Sequence, residues 1–314
     1  MSEPGENPAI HESGPFGLTR RHFLAMSVAG SACGLTPFGP GVAQPATAPA
    51  TQPASPPLPV VPTVYTAFLH EDQPRAWPFG IRRARILYPS NLWPAKNEAR
   101  HGPPRVEVVR WLASELNPNA PVILNIEHWP TRTEAEANFT IERFRQTYAM
   151  FRHANPELRL GLYSIVPHRE YWPFQRHPQH IERLRLAERN RRLAPLAELL
   201  DFICPSVYAF YNEPDGWEAY ARGMIESAKA FGKPVFPFLW YEFHDNGEPE
   251  NRGQRIPLPF WRRCLNLVAD QADGMILWGG FRQQWDPNAD WWFEVEQMMA
   301  DRLMARSRAG RAQP

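Results

Sequence analysis

From Val64 onward, short apolar runs alternate with longer amphipathic stretches, and this alternation constrains the fold more than any other feature of the chain. Seven runs read as strands: Val64–Leu69, Arg85–Tyr88, Val122–Ile126, Leu160–Val166, Phe202–Tyr208, Val235–Tyr241 and Met275–Trp278. Most are continuously apolar, as strands covered on both faces of a parallel sheet must be. Between them lie helical patterns over Glu134–His153, Ile181–Leu200, Trp217–Phe231, Phe260–Ala272 and Trp291–Met304. In the first of these, Phe139, Phe144, Tyr148 and Phe151 recur at mostly three-to-four spacing. Strand–helix alternation predicts an α/β fold. No Gly-rich nucleotide loop follows a strand, and polar and aromatic residues collect at the strand C-terminal ends. Both favour a TIM-like (β/α) barrel of seven or eight strands over a doubly wound sheet. At 43% hydrophobic residues in 314, the chain can bury such a core.

The N-terminus reads as an export address. Thr19-Arg20-Arg21-His22-Phe23-Leu24 has the form of a twin-arginine signal, an uncharged apolar stretch runs to Phe38, and Gly41-Val42-Ala43 offers a cleavage site. The apolar stretch is short and rich in Gly and Ser, so no stable membrane span is expected. Gly30-Ser31-Ala32 is a poor lipidation context for Cys33. Residues 1–43 are therefore expected to be a signal peptide engaging the twin-arginine export machinery, with a periplasmic or secreted product. Residues 44–62, rich in Pro, Ala and Thr, read as a linker, 63–305 as the barrel, and 306–314 as a disordered tail.

The net charge of +1 gives no strong field toward nucleic acid, and no nucleic-acid partner is expected. The basic stretch Arg183–Arg192 lies on a helical pattern and reads as a solvated face. Cys204 and Cys264, the cysteines that remain after the leader, read as buried free thiols. No His-Glu-x-x-His or Cys-x-x-Cys spacing is present, so neither metal nor cofactor is expected, and no Gly-x-Ser-x-Gly elbow suggests a serine esterase.

The densest chemical signal is Asn125-Ile126-Glu127-His128-Trp129 at the end of an apolar strand. Residues two apart on a strand point the same way, so Asn125 and Glu127 share a face. A carboxyl inside a barrel mouth is costly to ionise and suits a general acid. A helix cap or an Arg partner explains a lone Glu equally well. Tyr208, Trp240-Tyr241-Glu242 and Trp278 end three further runs, and His128, His168 and His244 follow strands. Taken singly, each aromatic is better explained by packing; recurrence at successive strand ends points to a sugar-binding mouth.

In order along the chain, these segments resemble the hyaluronidases, glycoside hydrolase family 56. Ile86-Leu87-Tyr88 with Leu92-Trp93-Pro94 resembles the second-strand segment. Val122-Ile123-Leu124-Asn125-Ile126-Glu127-His128-Trp129-Pro130 resembles the catalytic strand. Gly161-Leu162-Tyr163 with Val166-Pro167, then Pro205-Ser206-Val207-Tyr208, Phe238-Leu239-Trp240-Tyr241 and Gly274-Met275-Ile276-Leu277-Trp278-Gly279, resemble later motifs. The resemblance implies a barrel and substrate-assisted catalysis, with Glu127 as acid/base and Tyr208 near the substrate's acetamido group. Tyr88, Trp129, Tyr163, Tyr241, Glu242 and Trp278 are the expected substrate-binding residues. The family's Asp-x-Glu is Asn125-x-Glu127 here; a related substrate-assisted family, the family 85 endo-β-N-acetylglucosaminidases, uses such an Asn-x-Glu pair. The family's disulfide cysteines have no counterparts. The expected function is an exported retaining endo-β-N-acetylhexosaminidase acting on a polysaccharide or glycan. Two other readings stay open: a two-carboxylate retaining glycosidase with Glu127 as acid/base and Glu242 as nucleophile, and a carbohydrate-binding barrel without activity.

Overall fold

The structure, a computed structural model, describes residues 60–94 and 101–312. The leader, Cys33 and most of the linker lie outside the described residues. The chain enters as β1 (Thr63–Phe68), then β2 (Arg82–Arg83) and β3 (Arg85–Leu87), which flank Ala84 on one stretch of backbone. The short α1 (Pro89–Leu92) and α2 (Val106–Glu115) precede β4 (Pro121–Leu124). Then come α3 (Glu134–Ala154), β5 (Arg159–Leu162), α4 (Ile181–Glu198), α5 (Pro214–Lys229), β6 (Phe238–Trp240), α6 (Leu258–Gln271), β7 (Gly274–Gly279) and α7 (Asp290–Ala312).

Every pairing between the named strands is parallel. β1 pairs with β7 from Thr63↔Gly274 to Phe68↔Gly279 and, on its other edge, with β2 at Tyr65↔Arg82. β3 pairs with β4 and β4 with β5. Single bridges at Tyr163↔Cys204, Ile203↔Val235 and Ser206↔Phe238 carry the series across to β6, which pairs with β7. Followed in order, these neighbours make one parallel series with helices between the strands, the α/β architecture of barrel type expected from the alternation. The 202–208 run makes bridges rather than a continuous strand. Pro205 has no N–H to give its neighbours, and only its carbonyl joins in, accepting from the Phe238 N–H at 2.8 Å.

Local signals explain the helices. α3 opens on a capping box: the Glu136 N–H donates to Thr133 Oγ1 at 3.2 Å, and the Thr133 N–H donates back to the Glu136 carboxylate at 3.0 Å. Its apolar stripe, including Ile141, Phe144, Tyr148 and Phe151, is buried against the barrel. Gly161 permits close strand packing, since a Cβ there would come within 2.3 Å of the Phe202 ring. Cys204 and Cys264 are buried and unpaired.

Three boundaries differ from the sequence reading. α2 was not anticipated: its three valines and Trp111 are weak helix formers, and burial of Val109, Leu112 and Ala113 outweighs that propensity. The region 306–312, expected to be disordered, continues α7, because Ala and Arg dominate it and both sustain helix. Pro62, assigned to the linker, is buried and Val61 packs against the core, so the folded part begins slightly earlier. Among the described residues no helix is long and apolar enough to cross a membrane.

Candidate active site

The C-terminal ends of β4, β5, β6 and β7 converge on a cavity of about 170 Å³. β4 ends at Leu124, but the Asn125 N–H still donates to Leu87 O at 2.9 Å. The extended backbone thus carries on long enough to place both Asn125 and Glu127 in the cavity lining. Tyr163, just past β5, and Tyr208, at the end of the bridged run, line the same cavity. Trp240 from β6 and Trp278 from β7 supply indole walls, their rings perpendicular with centroids 4.7 Å apart. Tyr208 lies 5.7 Å from Trp240, 5.9 Å from Trp278 and 5.8 Å from the His244 ring.

The electrostatics keep the hydroxyls neutral. Burial, then the neighbouring Tyr163 and Tyr88 hydroxyls, push Tyr208 well above the usual phenol range. Tyr163 is also raised, by burial first, and its hydroxyl donates to Ser206 Oγ at 3.3 Å. Both remain hydrogen-bonding groups at any working pH. Burial and then the charge of Arg169 lower His244 to about 3. His244 Nδ1 accepts the Asn246 N–H at 3.0 Å, which leaves its proton on Nε2. Glu127 is exposed at the rim. The low-dielectric setting expected for it is therefore not provided by the protein alone, and a sugar ring seated between the indoles would have to create it.

Not all of the expected residues meet here. Tyr88 lies on a larger cleft of about 650 Å³ in the wall where β1 and β3 part, and its hydroxyl accepts from Trp278 Nε1 at 2.9 Å. That cleft holds none of Asn125, Glu127, Tyr163 and Tyr208, so the smaller cavity is the better candidate for chemistry. Trp129 is buried under the mouth, with its ring 4.7 Å from Phe144. Tyr241 stacks on Trp291 at 3.9 Å, and its hydroxyl reaches His70 Nε2 and Gln283 Oε1, each at 3.1 Å. Glu242 is 7% exposed and accepts from Gln283 Nε2 at 2.9 Å; burial raises its pKa. Neither Tyr241 nor Glu242 lines the cavity with Glu127. β6 ends at Trp240, and the alternation that would set Glu242 on the same face as Trp240 ends with it.

Three residues at the site carry no strand-end signal. Asp245 lines the cavity beside His244. Phe238 forms part of its floor. Arg169 donates to the Tyr163 hydroxyl at 3.4 Å, and its guanidinium lies 5.6 Å from the Phe210 ring centre. Burial works against its charge, but the Tyr163 and Tyr220 hydroxyls and Glu127 outweigh that effect. A basic residue shortly after a strand, in Val166-Pro167-His168-Arg169, was the available hint.

These histidines predict acid sensitivity. Burial above all lowers His70 to about 4, His168 to about 3 and His244 to about 3. Each is neutral when folded and charges near pH 6.5 when unfolded. Their contribution is full above about pH 6.5 and is lost as pH falls toward about 4. The unfolding midpoint should drop on the order of 10 °C between about pH 7.5 and about pH 4.5. His70→Gln should flatten part of that slope, and a midpoint independent of pH over the range would contradict the assignment.

No family model and no curated protein sequence matches the chain. Among solved structures, bee venom hyaluronidase in a monoclinic crystal is similar, with a TM-score of 0.51 and 16% identity over 78% of this chain and 99% of that one. Bee venom hyaluronidase in complex with a hyaluronic acid tetramer gives a TM-score of 0.52 and 16% identity over 78% and 98%. At this identity the likeness speaks for architecture alone: the chain has an α/β barrel fold similar to that of bee venom hyaluronidase.

Proposed function

We propose that the chain is a retaining endo-glycosidase that cleaves a glycan at 2-acetamido sugars by substrate-assisted catalysis. The observation that carries this reading is the meeting of Glu127, Asn125 and Tyr208 in one cavity walled by Trp240 and Trp278. In the first step Glu127 gives its proton to the glycosidic oxygen, and the C1–O bond to the leaving group breaks. The acetamido carbonyl oxygen of the same sugar forms the new bond to C1, giving an oxazolinium ion. In the second step water adds to C1, the ring opens, and Glu127 takes the water proton. Asn125 and the neutral Tyr208 hydroxyl orient the acetamido group, and the indoles hold the sugar by its apolar face. Similarity of fold to a hyaluronidase supports this reading. The version with Glu242 as nucleophile has less in its favour, because Glu242 accepts from Gln283 Nε2 and does not line the cavity with Glu127.

The direct test is incubation of purified protein with hyaluronan, chondroitin, chitin oligomers and N-glycans. Cleavage of at least one, at a 2-acetamido sugar, is expected. Sugar binding with no turnover of any of them would favour the inactive-barrel reading instead.

Export by the twin-arginine route is also proposed, on Arg20-Arg21 and the apolar stretch that follows. Arg20→Lys combined with Arg21→Lys should leave unprocessed protein in the cytoplasm; normal processing of that double variant would refute the route.

A further inference from the structure

Two carboxylates line the cavity, Glu127 after β4 and Asp245 after β6. The chemistry above uses only the first. It also leaves a gap, because an oxazolinium ion is a cation and Asn125 is neutral. The Tyr163 and Tyr208 hydroxyls are held neutral by burial, and His244 carries no charge. The formal charge nearby, Arg169, has the wrong sign. Glu127 has just surrendered its proton and is engaged with the leaving oxygen.

The backbone that carries Asp245 is held in place at the same cavity. The His244 N–H donates to Ala209 O at 2.9 Å, and the Gly247 N–H donates to His244 O at 2.8 Å. The Glu248 N–H donates to Phe210 O at 3.2 Å. A Cβ at Gly247 would come within 2.1 Å of Phe210 O, so this turn rests directly on the 209–210 backbone. The backbone at position 245 is thereby tied to the segment that carries Tyr208. The side chain itself is exposed, open to the cavity and to water. In water its field is weak, but a sugar that fills the cavity expels solvent and strengthens it where charge develops.

We propose that Asp245 is a catalytic residue whose carboxylate stabilises the cationic intermediate, the part that Asn125 cannot play. This inference rests on the substrate-assisted reading above. It forms no bond to the sugar and transfers no proton; its action is electrostatic.

The test is calorimetric titration of wild type and Asp245→Asn with the thiazoline analogue of N-acetylglucosamine, which mimics the cyclic intermediate, and with N-acetylglucosamine itself. Asp245→Asn should weaken the thiazoline by about tenfold or more and leave N-acetylglucosamine unchanged, because only the former resembles the charged state. Its kcat on the substrate found in the glycan panel should fall by about 10²-fold, the scale of losing one preorganised electrostatic partner. Adding Asn125→Asp to Asp245→Asn should recover part of that loss, since it returns a negative charge to the cavity. Asp245→Ala, checked for an unchanged melting temperature, should reproduce the thiazoline effect. Wild-type affinity and kcat in Asp245→Asn would overturn the proposal, as would equal weakening of both ligands, which marks a structural role. Failure of the wild-type protein to bind the thiazoline would overturn the substrate-assisted reading itself, and this proposal with it.

Discussion

Glu127→Gln is expected to lower kcat by roughly 10²–10⁴-fold, the usual range for a positioned general acid–base group. Gln is nearly isosteric with Glu and accepts and donates hydrogen bonds, but it has no proton to give to a departing sugar oxygen. Glu127 is exposed at the rim of the cavity, so the change buries no unsatisfied group and the unfolding midpoint should stay within a few degrees of wild type. KM should change little, because the lost interaction belongs to the transition state. The loss should also depend on the leaving group. A substrate with a good leaving group needs less protonation, so its kcat should fall far less. Full activity in a folded Glu127→Gln protein, on a substrate with a poor leaving group, would remove Glu127 from this role.

Asn125→Ala is expected to cost about 10–10²-fold in kcat, with KM changed less. Asn125 lines the same cavity as Tyr208, and in the proposed reaction its amide holds the acetamido group as that group becomes the nucleophile. A near-attack geometry lost here is lost at the reacting atom. Asn125→Asp is more informative. It adds negative charge beside the developing cation and should keep or raise kcat at neutral pH. A second carboxylate so close to Glu127 also raises one of the two macroscopic pKa values by repulsion, which should shift the pH–rate profile. A loss as large for Asn125→Asp as for Asn125→Ala would show that the amide donor, and not charge, is what the site requires.

The barrel was legible in the chain because burial on both faces forces continuous apolar strands. β1, β4 and β7 each fall within a residue or two of their apolar runs. The run through Pro205 was legible as a barrel segment but not as a broken one, since which carbonyls meet which N–H groups is decided across strands. α2 was hidden because its valines read against helix, and only the surface it covers makes it one. In the site, strand parity located Asn125 and Glu127 together, because the extended backbone persists past Leu124. Glu242 lies beyond the reach of that rule, because the chain leaves the strand after Trp240 and Glu242 enters an antiparallel bridge to Arg255. Tyr241, one residue after Trp240, faces the other way, to Trp291, as alternation requires. Asp245 and Arg169 sit on loops whose course is set by tertiary hydrogen bonds. Neither periodicity nor spacing along the chain could place them beside Glu127.

The product's configuration at the anomeric carbon tests the central claim most directly. Proton NMR taken in the first minutes of cleavage, before the freed sugar equilibrates, reads that configuration at the new reducing end. Two displacements at C1, first by the acetamido oxygen and then by water, predict a β-configured 2-acetamido sugar from a β-linked glycan. An α-configured first product would mean a single displacement by water, which contradicts the acetamido group as nucleophile.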